Sequence, residues 1–200
     1  MKKQYLRTIL AILLLVCAVP SFAQEVSVDR IEEDGRHQIM TEGKNFNIGG
    51  VRYNICMKVY ESAYSKDWCL LISSLSYISK YSARVLLKLD NDDIIDLPVN
   101  NVHVGKLTTM PSYGVTIGSI TFYSPTKEAD YYSSVYGLST DDLDKIENHK
   151  IVKIRFSDGT DFRDKEFESN SLGKFLRKCH KNIQERIDNS LKEKSIHDGF

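Results

Sequence analysis

The chain has 200 residues, 27 Lys and Arg against 27 Asp and Glu, and a formal net charge of zero. So even a balance provides no field to hold nucleic acid or an anionic membrane, since both need clustered cations. The length suits one ordinary domain, large enough to bury a core without a disulfide framework.

Lys2, Lys3 and Arg7 precede an apolar run from Ile9 to Val19, and Ser21-Phe22-Ala23 then leads into Gln24. A charged start, a short apolar stretch and small residues three and one before a cut are the marks of an export signal cleaved after Ala23. Its loss takes the 27 basic residues to 24 against 27 acidic ones, a net charge of about −3. The apolar run is shorter than the roughly 20 residues needed to span a bilayer, and nothing later is long or apolar enough. The expected product is residues 24–200, periplasmic or secreted, with no membrane span. Two other readings are an uncleaved anchor and a lipoprotein modified at Cys17. Val16 argues against the second, because lipid-modification signals place a small residue before the cysteine, and Cys17 lies inside the apolar run.

No repeat or low-complexity tract divides 24–200, and the four prolines are scattered, so a single domain is expected. Residues 24–36 are polar, with one brief alternation from Val26 to Ile31, and read as a frayed start or an edge strand. From His37 onward, short β-branched and aromatic runs alternate with period two between Gly, Asn, Asp and Ser clusters, the pattern of antiparallel strands. Strands are predicted near 37–41, 51–60, 67–74, 83–89, 93–98, 102–107, 115–123 and 130–135. Ala83 to Val99 reads as a hairpin turning at Asp90-Asn91-Asp92. Ile151–Phe156 and Thr160–Phe167 flank Asp158-Gly159, a pair suited to a tight hairpin turn.

A short helix is predicted over 140–148, with Ser139 or Thr140 as N-cap, Asp141 and Asp142 placed favourably against the helix dipole, and Leu143 and Ile146 inward. A second helix near 171–192 carries Leu172, Phe175, Leu176, Cys179, Ile183, Ile187 and Leu191 on one apolar stripe. Burying five or six of these side chains is worth on the order of 10 kcal/mol gross, so the helix should dock on the sheet. The predicted fold is α+β and mainly antiparallel, a sandwich or strongly curved sheet closed by the C-terminal helix. Uninterrupted succession of strands disfavours parallel βαβ winding.

In an oxidising compartment Cys56, Cys69 and Cys179 are candidates for bonding. Pairing Ile55 with Leu70 across a 51–60/67–74 hairpin gathers the apolar residues on one face and sets Cys56 opposite Cys69, which predicts a disulfide there. Cys179 is then a free buried thiol; the other reading leaves all three reduced.

Motifs that invite chemistry are better explained by structure. Ser171-Leu172-Gly173-Lys174 matches Ser-x-x-Lys, but the Ser-Asp-Asn and Lys-Thr-Gly elements are absent and Ser171 suits helix initiation. Asp90-Asn91-Asp92-Asp93 has Ile95 where a calcium loop has glycine and Asn101 where it has glutamate. Asp158, Asp161 and Asp164 could share a surface cation, yet a turn accounts for them. His37, His103, His149, His180 and His197 have no metal-ligand spacing, and Cys179 and His180 point about 100° apart on a helix. Catalytic, cofactor and metal residues are therefore assigned to none. Lys174, Arg177, Lys178, Lys181 and Arg186 form a basic strip that is either an anion or partner site or a solvated face. Tyr77, Tyr81, Tyr123, Tyr131, Tyr132 and Tyr136, in or near Ser-rich stretches, form the candidate binding surface, because tyrosine gives a rigid contact area with a polar tip. Ordinary sheet packing is the competing explanation for them.

The Ser21–Gln24 junction, the Lys153–Phe156 strand and the closing stripe from Leu172 to Ile187 resemble small uncharacterised exported proteins of Bacteroidota-type bacteria, a likeness that implies an address and no activity. The expected function is a non-enzymatic exported binding protein for a protein or carbohydrate partner. The alternatives are a small envelope hydrolase using paired carboxylates or a bound cation, and a structural envelope component or inhibitor of a secreted enzyme.

Overall fold

The computed structural model describes residues 26–62, 64–109, 114–117, 120–123 and 127–197, with side-chain detail outside 108–127 and 191–197. The predicted export signal, its cleavage point and Cys17 lie outside the described residues. Among the described residues, twelve strands and two helices follow in chain order: β1 (Val26–Ile31), β2 (His37–Thr41), β3 (Lys44–Ile48), β4 (Val51–Glu61), β5 (Lys66–Ser74), β6 (Arg84–Leu89), β7 (Ile94–Thr109), β8 (Gly114–Ile117), β9 (Ile120–Tyr123), β10 (Lys127–Leu138), α1 (Thr140–Asn148), β11 (Ile151–Ser157), β12 (Phe162–Glu166) and α2 (Ser171–His197).

Ten strands build one antiparallel sheet in the order β1-β2-β4-β5-β10-β7-β6-β11-β12, with β3 also paired to β4, while β8 and β9 form a separate two-stranded ribbon. The period-two pattern decides the faces: Tyr53, Ile55, Met57 and Val59 on β4, Val85, Leu87 and Leu89 on β6, and Ile154 and Phe156 on β11 are all buried on the inner side. The sheet curls until strands far apart in its order meet. The Tyr53 and Phe156 rings lie 4.5 Å apart, and Phe46 of β3 stands edge-on to Phe167 at 6.2 Å, while the ladder itself stays open.

Helix α2 lies in the hollow. Leu172, Phe175, Leu176, Cys179, Ile183 and Ile187 are all buried, and Phe175 packs on Phe46 at 5.7 Å. Thr41 Oγ1 donates to Cys179 Sγ at 3.4 Å and accepts from the Met57 N–H at 3.2 Å, tying helix to β2 and β4. Helix α1 opens with the predicted Ser139 cap, whose Oγ accepts from Asp142 N–H while the Asp142 carboxylate accepts from Ser139 N–H. Among the described residues no helix is long and apolar enough to cross a membrane.

Four details depart from the predicted elements. Segment 93–98 and segment 102–107 are one continuous strand, β7, bent by an irregularity where Val135 and Tyr136 of β10 face Asn101 and Val99. Segment 115–123 is the β8–β9 ribbon, closed by the pair Ile117 and Ile120, with residues 118–119 between them outside the described set. Strand β3 was not predicted. It turns into β4 through Gly49 (φ 54°) and Gly50 (φ 83°), the left-handed pair that a two-residue hairpin demands, and a Cβ on Gly49 would sit 2.7 Å from Arg163 Cβ.

The fourth concerns the cysteines. Strands β4 and β5 pair Ile55 with Ile72, Cys56 with Leu71, Met57 with Leu70 and Lys58 with Cys69, two residues from the predicted register. Glu61 and Lys66 close the hairpin, and the Ser62 hydroxyl accepts from the Tyr64 and Ser65 N–H groups inside it. Cys56 and Cys69 are consequently diagonal neighbours, at a spacing of about 7 to 8 Å that does not suit a bridge. Both are free buried thiols, as is Cys179, so the predicted disulfide is absent.

Candidate binding groove

Strand alternation divides the tyrosines that the sequence had grouped. Tyr132 and Tyr136 point inward: Tyr136 is fully buried, and Tyr132 packs against the core with Tyr77 edge-on at 5.5 Å. Tyr131 faces the other way and is 39% exposed. Tyr77 and Tyr81 are exposed on the loop after β5, and the Tyr123 side chain lies outside the described residues. The five whose side chains are described therefore form no common surface, and Tyr136 is a core residue.

The outer face instead carries a polar row set by register. Asn45 pairs with Asn54, Asn54 with Ser73, Ser73 with Ser133, and Ser133 with His103, so one level of β3, β4, β5, β10 and β7 presents amides, hydroxyls and an imidazole side by side. Asn54 Nδ2 donates to Asn45 Oδ1 at 3.2 Å, and Ser73 Oγ donates to Ser133 Oγ at 3.2 Å. Gly43 leaves the space that Asn54 occupies, because a Cβ there would stand 1.9 Å from Asn54 Oδ1. One end of the row forms a groove of about 420 Å3, walled by Asn45, Arg52, Asn54, Ser73, Ser76, Leu107 and Tyr131. The exit of β5 is held in place by Ser74, whose Oγ donates to the Arg52 carbonyl and accepts from the Ser76 N–H.

Among the described residues the groove wall contains no Asp, Glu, His, Lys or Cys, and Arg52 is the one formal charge. It offers neutral donors and acceptors beside the exposed flanks of Tyr131 and Leu107, and no group that moves a proton near neutral pH.

Several carboxylates elsewhere are engaged in structure. Asp158 is buried; burial pushes its carboxyl up, but the Arg163 guanidinium and the Thr160 and Asp161 donors outweigh this and hold it well below the ordinary range. Asp164 is brought down to about 2, first by the Arg155 guanidinium, which binds it through two 2.7 Å hydrogen bonds and outweighs the opposing effect of burial, and then by Lys153. Asp90 accepts from Lys150 N–H, and Asp92 takes the left-handed position of its turn at φ 68°. Among the described residues no three His, Cys, Asp or Glu side chains come together as metal ligands.

The basic strip on α2 also has structural work. Arg177 Nη1 donates to the carbonyls of Ile146 at 2.8 Å, His149 at 3.2 Å and Glu147 at 3.4 Å, satisfying the end of α1. Lys181 pairs with Glu185 one turn on, and Arg186 binds Asp29 of β1. His180 Nδ1 lies 2.9 Å from Glu147 Oε1, with its ring against Trp68 at 4.7 Å.

Asn45, Arg52, Asn54 and Leu107 escaped the sequence reading because nothing local marks them; they meet only through pairing among five strands. The Gly49-Gly50 pair was the one signal that could have placed Asn45 against Asn54. No protein-family model matches the chain, and neither the curated proteins nor the solved structures give a match.

Proposed function

We propose that the chain is an exported, non-enzymatic binding protein whose outer groove takes a neutral, hydroxyl-rich ligand of the carbohydrate class. The observation that carries this reading is the composition of the groove wall: Asn45, Asn54, Ser73 and Ser76 supply neutral hydrogen-bonding groups, and Tyr131, Leu107, Leu75 and Val51 supply a larger apolar flank. Sugars present alternating hydroxyl and C–H surfaces, and such a wall answers both. The export address rests on the residues before Gln24. Hydrolysis of a glycosidic bond asks for two facing carboxyl groups, and the described residues of this groove supply none.

The test is binding of the purified protein to an array of neutral oligosaccharides, followed by titration calorimetry on the best ligand. Tyr131→Ala and Asn54→Ala should each weaken binding by about tenfold or more, which is about 1.4 kcal/mol, while circular dichroism stays unchanged. Absence of any bound glycan, or folded variants that bind as well as the parent, would sink the proposal. Release of reducing sugar from the bound ligand would restore the hydrolase reading.

A further inference from the structure

The longest strand leaves most of one edge unused. Among the described residues, β7 meets β6 only between Ile94 and Pro98, and from Val99 to Thr109 it pairs with β10 alone. Val99 N–H still reaches the Ala83 carbonyl at 3.0 Å; beyond it, among the described residues, no strand pairs with the side of β7 that faces away from β10. Val102 N–H is bonded at 2.9 Å by the side-chain oxygen of its own neighbour, Asn101. That N–H therefore points to the open side, and alternation along a strand sends those of Val104, Lys106 and Thr108 the same way.

Edges of this length are ordinarily protected by charge, proline or bulges. Here the only ionisable residues from Val99 to Thr109 are His103 and Lys106, and Lys106 is drawn across to Asp130 at 2.9 Å. Val104 is 60% exposed and Leu107 45%. β10 joins β5 only from Tyr132 onward, so past that point the arm is a two-stranded ribbon, a form barely stable alone.

We propose that a second copy of this chain completes the arm, its β7 pairing antiparallel with β7 about a two-fold axis at Val104. Val104 is the middle residue of Val99–Thr109, so this register gives all of them a partner. It sets Val104 against Val104, Val102 against Lys106 and His103 against Gly105, with no like charges opposed. An axis at His103 would oppose two imidazoles, and one at Lys106 two ammonium groups. The outward N–H groups of Val102, Val104 and Lys106 then fall on hydrogen-bonded positions of the new ladder. The contact is self-complementary and closes at two copies.

Sedimentation equilibrium of the purified protein tests this, with Val104→Lys as the disrupting variant. The substitution sits on an exposed side chain, spares the monomer fold, and places two lysines face to face at the axis. The parent should sediment at twice the monomer mass and the variant at monomer mass with an unchanged melting temperature. A parent that stays monomeric up to its solubility limit, or a Val104→Lys protein as dimeric as the parent, overturns the proposal. If the lysine variant does not fold, Val104→Cys decides: a disulfide between two copies is expected on mild oxidation, and a dimer that fails to cross-link there refutes the register and the interface with it.

Discussion

Arg163 of β12 donates to the Asp158 carboxylate at 2.6 Å, and the same carboxylate accepts the N–H groups of Thr160 and Asp161 in the turn that leads into that strand. One side chain thus shapes the turn after β11 and anchors the edge strand that follows.

Acid should therefore unfold the protein by way of this turn. The native Asp158 carboxyl lies below its unfolded range, and that of Asp164 lies at about 2. A depressed native value means stability that is complete above the unfolded carboxylate value of about 4 and lost as pH falls through the native one. Melting temperature should be level above about pH 5 and decline toward pH ~2. Asp158→Asn should lower the unfolding free energy in the level region by about 2 to 4 kcal/mol, by leaving Arg163 without its charge partner, and should flatten the acid decline. Thermal melts across this pH range check it; parallel acid slopes for parent and variant would refute the assignment.

Tyr53 and Tyr136 pose the opposite situation. Both side chains are fully buried, and among the described residues their hydroxyls make no hydrogen bond of ordinary geometry, although Arg163 stands near Tyr53 and Ser134 near Tyr136; burial is the largest influence and pushes both phenols up. Removing an unpartnered buried hydroxyl while keeping the ring should stabilise the fold. Tyr136→Phe is expected to gain roughly 1 kcal/mol in urea denaturation. A loss of similar size would reveal a partner for the hydroxyl, an internal water being the simplest.

The thiols give a third expectation. Burial pushes Cys56 up to about 12 and raises Cys69 and Cys179 as well, so each is both hidden and protonated at neutral pH. Iodoacetamide should label none of the three in the native protein and all three once it is unfolded without reductant, as read by intact mass. Labelling of only one after unfolding would restore a bridge between Cys56 and Cys69.

That bridge shows how far the sequence could be read. Sliding β4 along β5 by two residues moves no side chain to the other face, because the strand repeat is two. The apolar pattern of Tyr53, Ile55 and Met57 against Leu70 and Ile72 therefore fixes which side is inward and is indifferent to whether Cys56 meets Cys69 or Leu71. The hairpin from Ser62 to Ser65 selects between them, by bonds that propensity does not reveal. Helix α2 was readable because its stripe repeats over several turns and needs no partner to be recognised. The same parity argument, applied along β10, would have separated Tyr131 from Tyr132 and Tyr136 beforehand. The groove had no such signature, since Asn54 and Tyr131 lie far apart in sequence and share a surface only through the ladders of β5 and β10.

Closure by the last helix binds the beginning of the domain to its end. Thr41 meets Cys179 across 138 positions of sequence, and Asp29 meets Arg186 across 157. Without the segment around Ile187, the inner sides of β2 and β4 would lack the side chains that cover them, and contacts of such long range tend to form late. In a polypeptide arranged in this way, the first strands are expected to reach their final packing only once the closing helix is free to dock.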